Sequence, residues 1–219
     1  MPALLGIMPS ALFNQGLMTM QCTRLPQAAL DTLIAGAKVL EADSHGAKVY
    51  LLADGKILKL FRRKRLFSSA LLRPYSARFI ANAQRLQQLG IPTLKVLQHY
   101  RLDKPGMTAV LYEPLPGRNL RQLMDTAEFT WQQSLEPLIA MIRRLHRSGV
   151  YFRSLHLGNV IVTPEGELGL IDMADMSFTR GPLSKRLIKR NLEHFSRYLE
   201  RENLTACFPL AELNKALLK

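Results

Sequence analysis

Acidic side chains are scarce in this sequence. Seventeen Asp and Glu stand against 30 Lys and Arg in 219 residues, a formal net charge of +13. A field of that size draws polyanions: nucleic acid, nucleotide phosphates, acidic lipid headgroups or phosphorylated sugars. Cysteine is nearly missing, since Cys22 and Cys207 lie far apart with no CxxC and no His-rich partner segment. That argues against a structural zinc site or a disulfide framework and points to a reducing compartment. No apolar run reaches the length that spans a bilayer. The apolar N-terminal stretch up to Gln21 has no basic segment ahead of Arg24 and no small-residue cleavage site. It is read as an extension outside the fold, with Met18 or Met20 as alternative starts. Internal repeats and low-complexity tracts are absent as well. What is present is an apolar fraction of 47%, too high for disorder, in a chain long enough for one domain or two packed lobes.

The order of elements is legible from periodicity. Leu25 to Ala37 reads as a short helix ending near glycine. "KVLEA", "AKVYLLA" and "KILKLF" read as three antiparallel strands, with turns at "DSHG" and at Asp54-Gly55. Ser76 to Leu89 repeats Phe79, Ala83, Leu86 and Leu89 at helical spacing and stops at Gly90. Two further strands, in "IPTLKVLQHYRL" and "MTAVLYEPL", flank the Lys104-Pro105-Gly106 turn, and Pro114, Pro116 and Gly117 mark a hinge. Beyond it, "NLRQLM" and "WQQSLEPLIAMIRRLHRSG" read as helices, the second with Leu135, Leu138, Ile139, Ile142 and Leu145 on one face. "NVIVTPEGELGLID" reads as a tight hairpin, and Ser184 to Lys219 as two helices. Three parts are expected: an extension (1–24), a first lobe (25–113) and a second lobe (114–219). The fold class is α+β, with a five-stranded antiparallel lobe carrying one helix and a shortened, mainly helical lobe.

That layout is the one protein kinases use, so each part of the phosphotransfer template can be sought. Lys59 in "KILKLF" has the position of the strand lysine that holds nucleotide phosphates, with Ile57 and Phe61 on its face by two-residue alternation. Lys56 points the other way. In "EADSHGAK" only Gly46 remains of a glycine-rich phosphate loop; its turn can still present amide groups to a phosphate. Glu113, ahead of the hinge, joins the nucleotide-binding group. The helix glutamate that orients the lysine is missing, because "SARFIANAQRLQQL" contains no acid; Asn82 or Gln84 occupies the region and could hydrogen-bond Lys59. Asn159 and Asp172, thirteen residues apart across the hairpin, are two oxygen ligands of the kind Mg²⁺ takes alongside substrate phosphates and water.

The oddity is "FRSLHLGN". Five positions before Asn159, where the template has its proton-accepting aspartate, stands Ser154. His156 follows, placed to donate to the γ-phosphate. Together, "YFRSLHLGNVIV…GLIDMAD", "GKILKLFRRKR" and "LGIPT" resemble the bacterial lipopolysaccharide core kinase family, whose related members are often labelled toluene-tolerance proteins. "LHRSGV…LHLGN" is also similar to the "LH…HGDLHPGN" of aminoglycoside and choline phosphotransferases. The resemblance spans Lys38 to Phe178. It implies an ATP- and Mg²⁺-dependent transferase acting on a hydroxyl of a sugar or glycolipid, in the cytoplasm and peripheral to the inner membrane.

Serine has no useful basicity at neutral pH, but it can orient an acceptor hydroxyl. Phosphoryl transfer through a loose transition state asks more of positioning and charge than of proton removal. Asp175 is the nearby acid that could take over the proton, or else a cap or surface residue. Three readings follow: an active sugar-directed kinase with an altered loop; a pseudokinase that binds nucleotide or acts as a scaffold; and, from charge alone, a nucleic-acid-binding protein. The basic clusters at Lys56–Arg65 and Arg180–Arg201 suit anionic lipid or core-sugar phosphates as well as nucleic acid. No aromatic platform accompanies them, which makes nucleic acid the least favoured partner.

Overall fold

The computed structural model describes residues 20–62 and 74–218. In chain order the elements are β1 (Cys22–Leu25), α1 (Gln27–Ile34), β2 (Lys38–Asp43), β3 (Gly46–Leu51), β4 (Ile57–Arg62), α2 (Tyr75–Gln88), β5 (Lys95–Leu102) and β6 (Met107–Glu113). After the hinge come β7 (Arg118–Asn119), α3 (Leu120–Leu123), α4 (Trp131–Arg147), β8 (Val150–Phe152), β9 (Val160–Val162), β10 (Leu168–Leu170), β11 (Met176–Phe178), α5 (Lys185–Arg201) and α6 (Leu210–Leu217).

Among the described residues the first lobe's sheet has six strands, in the order β1-β5-β6-β4-β3-β2. The sixth strand corrects the expected extension. Cys22–Leu25 pairs parallel with β5, Cys22 opposite His99, and Met20 packs against the main core. The remaining pairings are antiparallel, with Val49 opposite Lys59 and Lys59 opposite Val110. Strand β4 is buried on both faces because two layers cover it. Leu58 and Leu60 join Leu30 of α1 in a small cluster on one side. Lys59 and Phe61 point to the other side, where Phe79 of α2 lies 5.4 Å from the Phe61 ring and 5.6 Å from that of Tyr112. This second layer is continuous with the core of the helical lobe through Leu138, Ile142, Phe152 and Leu170.

The lobes are also joined by direct struts. The "LGIPT" segment lies along β10: Leu170 N–H donates to the Pro92 carbonyl (2.9 Å), and the Thr93 hydroxyl to the Leu170 carbonyl (2.7 Å). Gly169 has to be glycine here, since a Cβ would run into the Pro92 carbonyl oxygen and the Leu115 side chain. The chain is therefore clamped just before Asp172.

Candidate active site

Two cavities meet at Lys59 and Asp172, which line both. One, of about 280 Å³, is an apolar cleft between the lobes with Val49, Ile57, Leu94, Tyr112, Leu115 and Ile171 in its walls. Burial is the main cause that pushes the Tyr112 phenol well above its ordinary range, with the Asp172 charge adding to it. That hydroxyl therefore stays neutral. The other cavity, of about 230 Å³, carries the cations Lys48, Lys59 and Arg62 together with Asp43 and Asp172, beside Leu60, Phe61 and Tyr75.

Lys59 Nζ donates to Asp172 Oδ1 at 2.5 Å; the lysine side chain is 9% exposed and the aspartate 49%. Its stem lies among aromatic rings, with Nζ 5.7 Å from the Phe79 centroid. The expected partner on α2 is thus replaced. Asn82 turns away from Lys59 and donates to the carbonyls of Met173 (2.7 Å) and Met176 (3.2 Å). Gln84 is half-buried on the same helix. Asn82 therefore fixes the segment that carries Asp172, and Asp172 supplies the charge. The segment is a single 3₁₀ turn, Met173–Asp175, with Asp172 at its start in the left-handed region (φ 53, ψ 46). Aspartate is one of the few side chains that tolerates this conformation.

The catalytic-loop candidates come together below the cleft. β8 leads into the loop and pairs with β11, Phe152 opposite Met176. Asn191 of α5 donates to the Phe152 carbonyl at 2.6 Å, and its carbonyl oxygen accepts from His146 Nε2 at 3.0 Å. Asn159 uses its amide group for two contacts, to the Ser154 carbonyl (3.0 Å) and to His156 Nε2 (3.1 Å). An amide has two N–H donors, so both are committed and the carbonyl oxygen is left as the group that can face the cleft, which Asn159 lines. Ile171 N–H donates to the Asn159 backbone carbonyl at 3.1 Å, which holds the residue just before β9 beside the end of β10 and so brings the two candidate metal ligands near one another. One carboxylate plus one amide oxygen fits Mg²⁺, which takes its remaining ligands from phosphates and water. Among the described residues no group of three or more His, Cys, Asp or Glu could hold a metal by itself.

His156 is not aimed at an open phosphate position. Its ring stacks on Tyr198 (4.6 Å, 15°), burial lowers its pKa, and Nε2 accepts from Asn159. In this arrangement it orients the asparagine. Ser154 Oγ donates to Asp175 Oδ2 at 2.5 Å, so Asp175 is neither a helix cap nor a surface residue. Gly46, at φ +104, opens β3. In the turn before it, the His45 amide is taken by the Asp43 carboxylate (2.8 Å), which Arg62 also holds (2.6 Å). Part of the expected phosphate cradle is thus closed by the protein's own carboxylate. Glu113 ends β6 and pairs with Lys95 at 3.2 Å. Of the first basic cluster, Lys56 pairs with Asp54 (2.5 Å) and Arg62 with Asp43, while 63–65 lie outside the described residues. The exposed cations of α5, Lys185, Arg186, Lys189 and Arg190, form the second. Among the described residues no helix is long and apolar enough to cross a membrane.

No curated protein matches the chain. Two solved structures of the bifunctional kinase-methyltransferase WbdD are similar at 18% identity, with TM-scores of 0.47 and 0.46. They cover 71% and 69% of this chain and 34% of their own, so the chain spans about a third of the length of those proteins. Residues 35–209 match the lipopolysaccharide kinase (Kdo/WaaP) family. With its α+β, protein-kinase-like fold, the chain belongs to that family.

Proposed function

We propose that the protein transfers the γ-phosphate of ATP to a hydroxyl of a sugar or glycolipid of the lipopolysaccharide type. The observation that carries this reading is the Lys59–Asp172 contact at the junction of the two cavities. The apolar cleft suits a nucleobase, which needs flat apolar walls and few polar groups. The adjoining cavity suits the phosphates, because Lys48, Lys59 and Arg62 line it, each held by one carboxylate (Glu41, Asp172 and Asp43) that an incoming anion would displace. Lys59 would hold the phosphates as a point charge. Asn159 and Asp172 would hold Mg²⁺, which when bound neutralises the charge that develops on the transferred group. His156 keeps Asn159 turned toward the cleft, and Ser154 meets the acceptor hydroxyl. The basic face of α5 suits the phosphates of a glycolipid acceptor or of an anionic membrane surface, where each cation contributes about 1 kcal/mol of attraction.

The test is direct. ATP with Mg²⁺ is expected to raise the melting temperature, and Lys59→Ala and Asp172→Ala each to abolish that shift. Labelled γ-phosphate is then expected to appear on purified lipopolysaccharide core oligosaccharide. A melting temperature indifferent to ATP would reject the reading.

A further inference from the structure

The catalytic loop lacks the carboxylate at position 154, yet a carboxylate reaches the same place from the 3₁₀ turn that follows Asp172. Ser154 Oγ and Asp175 Oδ2 are 2.5 Å apart, close even for a hydroxyl on a carboxylate. The donor is necessarily the serine, because an ionised carboxylate only accepts. The serine's lone pairs are then free for a second hydrogen bond. Three features show that the pair is built in. The Ser154 carbonyl is tied down by Asn159, one of the proposed metal ligands. Asp175 is the last residue of the 3₁₀ turn whose carbonyls Asn82 holds. The Asp175 side chain is only 25% exposed, and its Oδ1 is enclosed with no hydrogen-bond partner among the described residues. Arg153, with Nε 3.8 Å from Oδ2, is the cation alongside. A residue with only a structural role would have both oxygens satisfied, as buried polar atoms generally are.

We infer that Ser154 and Asp175 act together as the proton acceptor for phosphoryl transfer, Ser154 touching the acceptor hydroxyl and Asp175 acting through it. The inference rests on the phosphotransferase reading above. In the step, the acceptor oxygen forms a bond to the γ-phosphorus, and the bond from that phosphorus to the bridging β–γ oxygen breaks. The electron pair of the broken bond leaves with ADP. The acceptor's proton passes to Ser154 Oγ as the serine's own proton passes to Asp175 Oδ2. Asp175 then returns that proton to solvent through its exposed edge. A base and a nucleophile bridged by a hydroxyl is the usual logic of an activated oxygen. Here it is distributed over a loop and a 3₁₀ turn, because the residue at 154 is too short to do both parts.

The experiment uses the full chain with Mg-ATP. Release of γ-phosphate to water and transfer to deacylated lipopolysaccharide core oligosaccharide are followed for the unmodified protein, S154A, D175N, D175E and the exchange variant S154D/D175S. S154A and D175N are expected to lose about 10²–10⁴-fold in kcat, the usual worth of general base catalysis, with KM for ATP and the ATP-induced melting shift unchanged. D175E and the exchange variant, which keep one carboxylate in the pair, are expected to stay within about tenfold of the unmodified protein. Unchanged kcat in D175N overturns the inference. So does a loss in D175N confined to KM or shared with nucleotide binding, or an exchange variant as inactive as D175N. An unmodified protein that ATP stabilises but that releases no γ-phosphate also overturns the relay, leaving nucleotide binding in place. Absence of ATP stabilisation strikes the reading of the site itself.

Discussion

Lys59 lines the cleft and Ser154 lies on the loop that carries Asn159, and each stands where the phosphotransfer template asks for a neighbouring carboxylate that the local sequence does not supply. α2 has no acid to offer Lys59, and the catalytic loop has none at 154. Both deficits are met from one four-residue stretch, Asp172 for Lys59 and Asp175 for Ser154. The two repairs differ in their surroundings. The Lys59 pair buries its cation and leaves its carboxylate half exposed, so a ligand can compete for the aspartate. The Ser154 pair leaves its carboxylate 25% exposed and encloses one of its oxygens, Oδ1. One contact is suited to exchange with a bound metal or phosphate, and the other to persist through turnover. Charge needed at a site can thus be moved along the chain, provided one rigid segment faces both places.

Asn82 holds that segment and should affect both pairs at once. Asn82→Leu removes the side-chain donor from the carbonyls of Met173 and Met176 and leaves Met173 with the Met176 N–H; two lost buried hydrogen bonds together cost about 1–3 kcal/mol. The largest fall in stability among these variants is expected here. Denaturant unfolding would show it, together with loss of the ATP-induced melting shift. If Asn82→Leu bound ATP normally, the two pairs would not share a scaffold. Gly169→Ala bears on the Asp172 side. Its methyl would meet the Pro92 carbonyl oxygen, and overpacking of this kind costs about 1–3 kcal/mol. It should weaken ATP stabilisation more than Leu138→Val, a trim of a buried core residue away from the strut.

How far these features were legible in the sequence depends on the range over which they are set. The strands β2 to β6 and the helices α2, α4 and α5 follow from local alternation and helical spacing, and Lys59, Asn159 and Asp172 follow from their positions on those elements. Strand β1 was missed because "CTRL" is short, carries no alternation and pairs with a strand reached only through α1, β2, β3, β4 and α2. The partner of Lys59 was sought on α2 because the template has it there. No local pattern says that Asn82 will face two carbonyls 91 and 94 residues away. Asp175 was visible as a nearby acid. Its contact with Ser154 depends on the left-handed backbone of Asp172 and on the pairing of β8 with β11, neither of which spacing encodes.

The Ser154 side can be probed through pH. His146 is buried and donates from Nε2 to Asn191, which holds the strand leading to Ser154. Burial lowers its pKa below the ordinary 6.5, with the Asn191 contact opposing. The unfolded chain therefore takes up a proton near 6.5 that the folded chain refuses. This contribution to stability is complete above that pH and falls as pH drops below it, by at most about 1.4 kcal/mol per pH unit. His99, His156 and His194 are shifted in the same direction, so the slope of the unmodified protein is shared. His146→Gln keeps a donor for Asn191 and should flatten the slope measured by urea unfolding between pH 7.5 and 5.5. An unchanged slope would assign it to His99, His156 and His194.

The smallest expected change in stability belongs to Lys59→Met, and it separates the ion pair's two possible duties. Because Asp172 is 49% exposed, water screens the pair, and contacts of this kind are worth about 0–1 kcal/mol. The ammonium's position 5.7 Å from the Phe79 ring centroid adds a cation–π contribution of about 0.5–1 kcal/mol. A methionine thioether against the same rings returns about 0.3–1.5 kcal/mol. Taken mid-range these nearly cancel, so the unfolding free energy should move by about 1 kcal/mol or less, while stabilisation by ATP disappears because the buried ammonium at the junction of the two cavities is gone. A loss of several kcal/mol would mean that Lys59 and Asp172 hold the lobes together. Near-neutral stability with lost ATP response would mean that the protein keeps a buried lysine for its ligand, and that the contact with Asp172 is what the lysine does while it waits.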